Sequence, residues 1–194
     1  MKEIVIASNN EGKIKEIESI IKDYKAYPQK DFIEEFEVIE DGKTFKENAI
    51  KKAETLSKEL EGKICIADDS GIEIEYLNGF PGVLTKRWKE GTDRDRNLGL
   101  IERLKGINGK ARLVKFVVAI SASNGEKTIC EEGVLEGYIA TEPKGNKGFG
   151  FDEIFQIEDG RTLAELSEEE KNKISPRRIA IEKMKSKIQE LNKK

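Results

Sequence analysis

The sequence predicts an α/β fold with a mixed β-sheet, and three observations lead to it. The chain opens with a short apolar run, Ile4 to Ala7, which is broken by Ser8-Asn9-Asn10 and followed by residues with helical spacing. Two long strand-like segments flank the pair Asn124-Gly125, a strong signal for a β-hairpin turn. A segment that begins with Pro176, a residue tolerated at a first helical position, has the pattern of a closing helix. We expect the central hairpin to form one wall of a cleft.

In the first half of the chain, the spacing of apolar residues distinguishes predicted helices from predicted strands. The predicted elements are a strand from Ile4 to Ala7, a helix from Lys13 to Lys22, a strand from Phe32 to Ile39, a helix from Phe45 to about Leu60 and a strand from Lys63 to Ala67. Thr44 is positioned to cap the second helix, with Glu47 as the capping-box partner. The last strand runs into Asp68-Asp69-Ser70-Gly71.

The second half contains longer strand candidates. After a loop at Asn78 to Gly82, the predicted elements are a helix from Arg94 to Leu104, strands from Ala111 to Ser121 and from Lys127 to Ile139, a glycine-rich loop from Lys144 to Gly150, a strand-like stretch from Phe151 to Ile157 and a helix from Pro176 to Leu191. A basic turn, Glu170 to Arg177, is expected to open the final helix.

The length of 194 residues predicts a single domain over residues 1–194. No apolar stretch approaches the roughly 20 residues of a membrane span, and no apolar leader precedes the first strand. These features predict a soluble, cytoplasmic protein with no membrane partner. Cys65 and Cys130 stand in apolar runs and are expected to be buried free thiols, because a disulfide framework would need more cysteines.

Charge and the lack of histidine restrict the chemistry. The 35 basic and 38 acidic side chains nearly balance, to a net charge of −3. A large basic field, typical of proteins that bind duplex nucleic acid, is therefore absent, and no nucleic-acid partner is expected. With no histidine in the chain, histidine metal sites and triads with an imidazole base are excluded. Catalysis must use carboxylates, lysines, arginines, hydroxyls and backbone amides.

The first candidate motif is Ser8-Asn9-Asn10-Glu11-Gly12-Lys13. Small polar residues, a glycine and a lysine stand between a strand end and a helix start, where backbone N–H groups and the helix dipole favour a phosphate. The alternative is an ordinary N-cap turn with a solvated lysine.

The second candidate combines two acidic segments. Asp68 and Asp69 follow a buried strand, and neighbouring strand residues point to opposite faces, so we expect different roles for them. One would hold Mg²⁺ or orient water, and the other would brace the loop. Glu40 could reach the same metal, and Lys52 follows two helical turns after Thr44. The alternatives are an Asp-rich capping turn and a solvated helix face.

The third candidate is Gly148-Phe149-Gly150-Phe151-Asp152. Alternating glycine and phenylalanine can let a backbone approach a flat ligand, so that a phenyl ring stacks on a base and Asp152 accepts hydrogen bonds from the ring N–H groups of the base. The alternative is structural packing as a strand or bulge.

Together and in this order, these segments resemble the inosine triphosphate pyrophosphatase family, which hydrolyses non-standard purine nucleoside triphosphates. The match spans nearly the whole chain with the family's order and spacing. The matching residues are Ser8 to Lys13, Glu40-Asp41-Gly42, Thr44 to Ala49, Lys52-Ala53, Ala67 to Gly71, Pro81-Gly82-Val83, Gly148 to Asp152, Glu170-Lys171, Ser175 and Arg177.

The resemblance implies a two-lobed α/β fold with an elongated mixed β-sheet, a nucleotide cleft between the lobes and a homodimer. It implies Mg²⁺-dependent hydrolysis of ITP, dITP or XTP to the monophosphate and pyrophosphate. It makes Asp69 the general base and places the metal on Glu40 and Asp69. The implied substrate-binding residues are Ser8, Asn9, Asn10, Glu11, Gly12, Lys13, Lys52, Ser70, Phe149, Gly150, Phe151, Asp152, Lys171, Pro176 and Arg177.

Within that set, the resemblance assigns the triphosphate to Lys13, Lys52 and Lys171. It assigns base stacking to Phe149, and recognition of the base edge to Asp152 and Arg177. This chain departs from the family at two positions. Pro176 stands where the family has a base-recognising histidine, and Glu153 stands where it usually has proline. We therefore expect catalysis to survive and discrimination against ATP or GTP to be weaker or altered.

Two other functions fit the same residues. One is a pyrophosphatase for a different modified nucleotide, which Pro176 favours. The other is a nucleotide-binding sensor that has lost cleavage, against which Glu40, Asp69, Lys13 and Lys52 argue, because a sensor needs neither a base nor a metal ligand.

Overall fold

The computed structural model describes residues 2–192. Its strands are β1 (Lys2–Ile6), β2 (Tyr24–Pro28), β3 (Cys65–Ile74), β4 (Leu113–Ser123), β5 (Thr128–Ile139) and β6 (Phe155–Gln156). Its α-helices are α1 (Glu11–Ile20), α2 (Phe45–Glu59), α3 (Asp93–Arg103), α4 (Glu168–Ile174) and α5 (Pro176–Lys185). None of these helices is both long and apolar enough to cross a membrane.

The strands form one mixed sheet in the order β2-β1-β3-β4-β5-β6. β1 is parallel to β2 and to β3, with Val5 in register with Tyr27 and Cys65, whereas β5 is antiparallel to β6. β4 and β5 are neighbours joined by a short turn, in which the Asn124 side chain accepts hydrogen bonds from the N–H groups of Glu126 and Lys127. The α/β class, the mixed sheet and the Asn124-Gly125 hairpin are therefore confirmed.

The described residues form two compact units. The first unit consists of residues 2–70, 118–133 and 176–192, and the second of residues 71–117 and 134–175. Strands β3, β4 and β5 each contribute residues to both units. The expectation of a single domain over residues 1–194 remains a prediction.

Helix α1 anchors the first unit through its isoleucine stripe. Ile17 and Ile20 are buried, and α1 packs against α5, which buries Ile181 and Met184. Each such side chain contributes about 1.5–3 kcal/mol when it is fully removed from water. This packing holds the start of α5 in the same unit as the start of α1.

The second unit has an aromatic core. The rings of Phe116 and Phe151 meet edge to face with centroids 4.8 Å apart, and Phe155 is completely buried beside them. Ile154 and Leu163 belong to the same core. The glycine-rich loop before β6 is therefore attached to the core at its C-terminal end.

A buried arginine ties the backbone of the second unit together. The Arg112 guanidinium donates to the carbonyl oxygens of Leu104 (2.9 Å), Ile107 (3.0 Å), Ile139 (2.6 Å) and Ala140 (2.8 Å). It thereby connects the end of α3 to the end of β5. The planar fork of arginine can serve four acceptors at once, which a single ammonium group cannot match.

The prediction of a strand from Phe32 to Ile39 is wrong. The second strand is β2, Tyr24–Pro28, and residues 32–39 form neither helix nor strand. The apolar residues in this segment do not alternate, so no single strand face could bury them. Ile33 and Phe36 instead pack on the core, while Ile39 is 78% exposed.

Other differences concern the ends of elements. β3 continues through Asp68-Asp69-Ser70-Gly71 instead of ending before it. Thr44 caps α2 as expected, but the Glu47 carboxylate accepts from the N–H of Lys43 and not from that of the cap. Of the expected strand from Phe151 to Ile157, only β6 forms. The expected basic turn at residues 170–177 is largely helix α4, and the closing helix ends at Lys185.

The cysteines are free, as expected. Cys65 is buried, whereas Cys130 is half-buried, and burial raises the pKa of the two thiols to about 12 and about 11.

We expect Arg112→Lys to lower the free energy of unfolding by about 3 kcal/mol, because buried carbonyl groups lose charged donors. Urea unfolding followed by circular dichroism measures this change. Arg161→Lys is the matched control, since Arg161 is an exposed arginine that pairs with Asp159 and Glu170 and should tolerate the change. Equal stability of the Arg112 variant and the control would contradict the structural role of Arg112.

Candidate active site

The turn between β1 and α1 is organised by its own polar side chains. Ser8 Oγ accepts from the N–H of Asn10 at 3.1 Å, and Asn10 Oδ1 accepts from the N–H of Lys13 at 3.2 Å. Asn10 is thus the N-cap of α1, and the exposed Glu11 and Gly12 contribute the first amides of the helix. This end of the helix favours an anion. The phosphate cradle predicted from residues 8–13 remains a prediction.

Asp68 is a buried carboxylate held by two cations. Its Oδ2 accepts from the Lys13 ammonium at 2.7 Å and from the Arg177 guanidinium at 3.2 Å. Arg177, itself buried, also pairs with Glu16. Burial alone would raise the pKa of Asp68, but the charges of Lys13, Arg177 and Lys52 outweigh it and hold the pKa well below its usual range. Asp68 is therefore ionised at neutral pH.

Asp69 has the opposite electrostatic environment. Burial raises its pKa, and the neighbouring charge of Glu40 raises it further, against the lowering influence of Lys52 and Asn48. Asn48 Nδ2 donates to one carboxylate oxygen at 2.9 Å, and the N–H of Ser70 donates to the other at 2.9 Å. Asp69 is thus oriented by neutral donors and has a raised affinity for a proton.

Glu40 stands on a segment that is attached to the same cluster. Its carboxylate accepts from Lys52 Nζ at 2.5 Å. Two residues later, the N–H of Gly42 donates to Asn48 Oδ1 at 2.8 Å. A Cβ atom at Gly42 would lie 2.5 Å from that oxygen, so only glycine permits this approach. Asn48 therefore connects the segment that carries Glu40 to Asp69.

The acidic residues suit one kind of metal ion. Within residues 2–192, no three acidic, cysteine or histidine side chains cluster as a metal cage. Mg²⁺ does not need one, because it binds through one or two carboxylates, substrate phosphates and retained waters. The effect of Glu40 on the pKa of Asp69 shows that the two charges repel, and a cation would relieve this repulsion. The donor set fits Mg²⁺.

The second unit contains a separate cluster around the Phe149 loop, which we define as Gly148 to Glu153. The buried Asp152 carboxylate accepts from the N–H of Phe149 at 2.9 Å and pairs with Lys171. The Lys171 ammonium also lies 5.1 Å from the centroid of the Phe149 ring, which is 53% exposed. Gly148 has a φ of +77°, and a Cβ there would lie 2.1 Å from Asp152 Oδ2. The loop thus presents one aromatic ring beside an ion pair.

The structure divides the predicted site residues between the two units. The first unit contains Ser8, Asn9, Asn10, Glu11, Gly12, Lys13, Glu40, Lys52, Asp69, Ser70, Pro176 and Arg177. The second contains Phe149, Gly150, Phe151, Asp152 and Lys171. Phe151 packs in the core and Lys171 pairs with Asp152, while Arg177 pairs with Asp68 and Glu16. The roles assigned to these residues remain predictions.

Sequence reasoning missed the partners that fix these side chains. Asn48 lies in the segment that carries the resemblance, but nothing in its spacing indicated a bond to Asp69. Glu16 faces Arg177 across a sequence separation of 161 residues, which no local pattern reveals.

Comparison with known proteins gives consistent matches over nearly the full chain. The sequence model of the Ham1 family matches residues 4–187. The dITP/XTP pyrophosphatase of Bacillus subtilis is 46% identical, over 95% of this chain and 96% of that protein. That of Bacillus licheniformis is 43% identical, with the same coverage. Among solved structures, the Staphylococcus aureus Ham1 protein is 41% identical with a TM-score of 0.88, covering 97% of this chain and 98% of that one. A HAM1 protein from Coxiella burnetii is 38% identical with a TM-score of 0.88, covering 98% of this chain and 100% of that one.

We expect Asp68→Asn to lower the free energy of unfolding by about 3–5 kcal/mol at neutral pH, because Lys13 and Arg177 lose the buried carboxylate that they share and only Arg177 keeps another, Glu16. Since folding lowers the pKa of Asp68, its contribution is complete above the unfolded pKa of about 3.9 and is lost as the pH falls through the folded pKa. The stability difference between wild type and variant should therefore shrink below about pH 4. Urea unfolding over a pH series measures it, and a pH-independent difference would contradict this account.

Proposed function

Because the chain belongs to the Ham1 family, we propose that it hydrolyses non-standard purine nucleoside triphosphates such as dITP, ITP and XTP to the monophosphate and pyrophosphate. The family match confirms the resemblance drawn from the sequence. The observation that carries the proposal is the half-buried Asp69 carboxylate, whose pKa is raised and whose two oxygens are oriented by Asn48 and Ser70. Such a carboxylate is suited to accept a proton from water.

In the proposed reaction, one water molecule adds to the α-phosphorus and the bond from that phosphorus to the bridging oxygen breaks. Asp69 takes a proton from the water, and the leaving pyrophosphate takes up a proton in turn. Lys13 and the first amides of α1 bind phosphate oxygens, and Lys52 offsets their negative charge. Phosphoryl chemistry requires mainly such positioning and charge neutralisation, which explains how a chain without histidine can perform it.

Mg²⁺ is the cofactor that we propose, held by Glu40 and Asp69. When bound, it would neutralise phosphate charge and make the attacking water more acidic. Lys52, which pairs with Glu40 at 2.5 Å, lies beside these carboxylates and would contribute positive charge toward the phosphates.

The base is recognised, in this proposal, by stacking on Phe149 and by polar groups of Asp152 and Arg177. Arg177 Nε has no hydrogen-bond partner within residues 2–192 and almost no exposed surface, so a base would reach this donor only after a local rearrangement. A 6-oxo group accepts such a hydrogen bond, whereas a 6-amino group leaves the donor unpaired. The homodimer and the cytoplasmic location expected from the sequence remain predictions.

We expect pyrophosphate release from ITP and XTP in the presence of Mg²⁺, and its loss in EDTA. Asp69→Asn should lower kcat by about 10²–10⁴-fold, the usual contribution of a general base. Asp41→Asn is the control, because Asp41 pairs with Lys51 at the surface of the same cluster. Nucleotide binding without pyrophosphate release by the wild type would instead identify a sensor.

Pro176→His tests base selection. Pro176 is a buried residue at the start of α5, next to Arg177. We expect the wild type to discriminate weakly between ITP and ATP, and the variant to raise the ratio of their kcat/KM values about tenfold, the value of one added hydrogen bond. A strict 6-oxo preference of the wild-type enzyme would contradict this expectation. Higher turnover of another modified nucleotide would redefine the substrate.

A further inference from the structure

Helix α3 is bonded to the Phe149 loop through a buried asparagine. Asn97 is 3% exposed, and its Nδ2 donates to the carbonyl oxygen of Gly150 at 2.9 Å and to Glu153 Oε1 at 3.0 Å. Both acceptors lie in the loop, 53 and 56 residues away in sequence. No motif identified in the sequence includes Asn97.

Glu153 completes this connection at the surface. Its Oε2 accepts from Arg94 at 2.6 Å, one turn before Asn97 on the same helix. Its backbone oxygen accepts from the N–H of Lys144 at 2.8 Å, which ties down the start of the segment that precedes the loop. The Arg94 side chain is 61% exposed, so its pair with Glu153 contributes little by itself. The buried donor of Asn97 is the main bond between helix and loop.

Backbone hydrogen bonds at Phe151 and Asp152 hold the C-terminal part of the loop, so the contribution of Asn97 concerns the stretch from Gly148 to Gly150. Phe149 stands between two glycines with positive φ, +77° at Gly148 and +64° at Gly150. Glycine populates many backbone conformations, so fixing the ring requires a restraint on each side. Asp152 binds the N–H of Phe149 on one side, and Asn97 binds the carbonyl of Gly150 on the other.

We propose that Asn97 is a positioning residue for base recognition, which holds the Phe149 ring in the orientation that stacks on the purine. The proposal rests on the proposed function, because it presupposes that Phe149 binds the base. Asn97 acts through the Gly150 carbonyl and does not touch substrate. Its loss should weaken the binding of a nucleotide and leave the binding of a phosphate chain that has no base unchanged.

Asn97→Asp is the main test, because it keeps the size of the side chain and removes both donated hydrogen bonds. We expect KM for ITP to rise about tenfold with kcat changed less than about threefold, the pattern for loss of binding that is equal in ground and transition states. The inhibition constant of inorganic triphosphate should not change. Asp93→Asn on the same helix, which breaks an exposed pair with Arg96, is the control and should leave both constants unchanged.

Two further variants test which contact of the Asn97 side chain matters, the one with the Gly150 carbonyl or the one with Glu153. Asn97→Asp with Glu153→Gln restores a hydrogen bond between these two side chains with donor and acceptor exchanged, but leaves the Gly150 carbonyl without its donor. We expect KM to stay high in this double variant, and recovery of the wild-type KM would overturn the role of the Gly150 contact. Asn97→Ala, which adds no charge, should raise KM in the same way and serves if the aspartate variant does not fold.

The remaining outcomes distinguish this proposal from the proposed function. An unchanged KM in both single variants of an active enzyme would overturn the positioning role alone. A parallel rise in KM and in the triphosphate inhibition constant, with lower thermal stability, would show a merely structural role. Failure of the wild type to bind or hydrolyse ITP would overturn the proposed function and this inference together.

Discussion

The buried ion pairs of Asp68 are the interaction on which the rest of the first cluster depends. They join three elements that are distant in sequence: Lys13 from the start of α1, Asp68 from β3 and Arg177 from the start of α5. Lys13 and Arg177 remain ionised in this place because Asp68 faces both of them and Glu16 faces Arg177. The same arrangement fixes Lys13 beside the helix terminus where phosphate is proposed to bind.

The neighbouring carboxylate, Asp69, has a different environment because of its position in strand β3. Because successive residues of β3 point to opposite faces, Asp68 meets cations while Asp69 meets the neutral donors of Asn48 and Ser70. Its pKa is raised where that of Asp68 is lowered. Asp68 therefore serves as a counter-charge within the fold, and Asp69 is the carboxylate that we propose for proton transfer. A similar division holds in the second unit, where Asp152 and Asn97 fix a loop whose aromatic ring stays exposed.

The sequence predicted the features that depend on local chemistry. The strand–turn–helix at residues 4–22, the hairpin at Asn124-Gly125 and the cap at Thr44 follow from spacing and turn residues, and the structure contains all three. The prediction of a strand at residues 32–39 was wrong because it rested on the apolar content of the segment. The apolar and polar residues there do not alternate as a half-buried strand requires. Asn48, Asn97 and Glu16 could not be predicted, because their partners lie 21 to 161 residues away and meet them only through tertiary packing.

The most direct test of this division of roles is the free energy of unfolding of Asp69→Asn at pH 7 without metal. A carboxyl group whose pKa is raised by folding destabilises the folded state when it is ionised. We therefore expect this variant to be as stable as the wild type or more stable. A loss of about 3–5 kcal/mol, the size expected for a broken buried ion pair, would contradict it and make Asp69 a structural residue like Asp68.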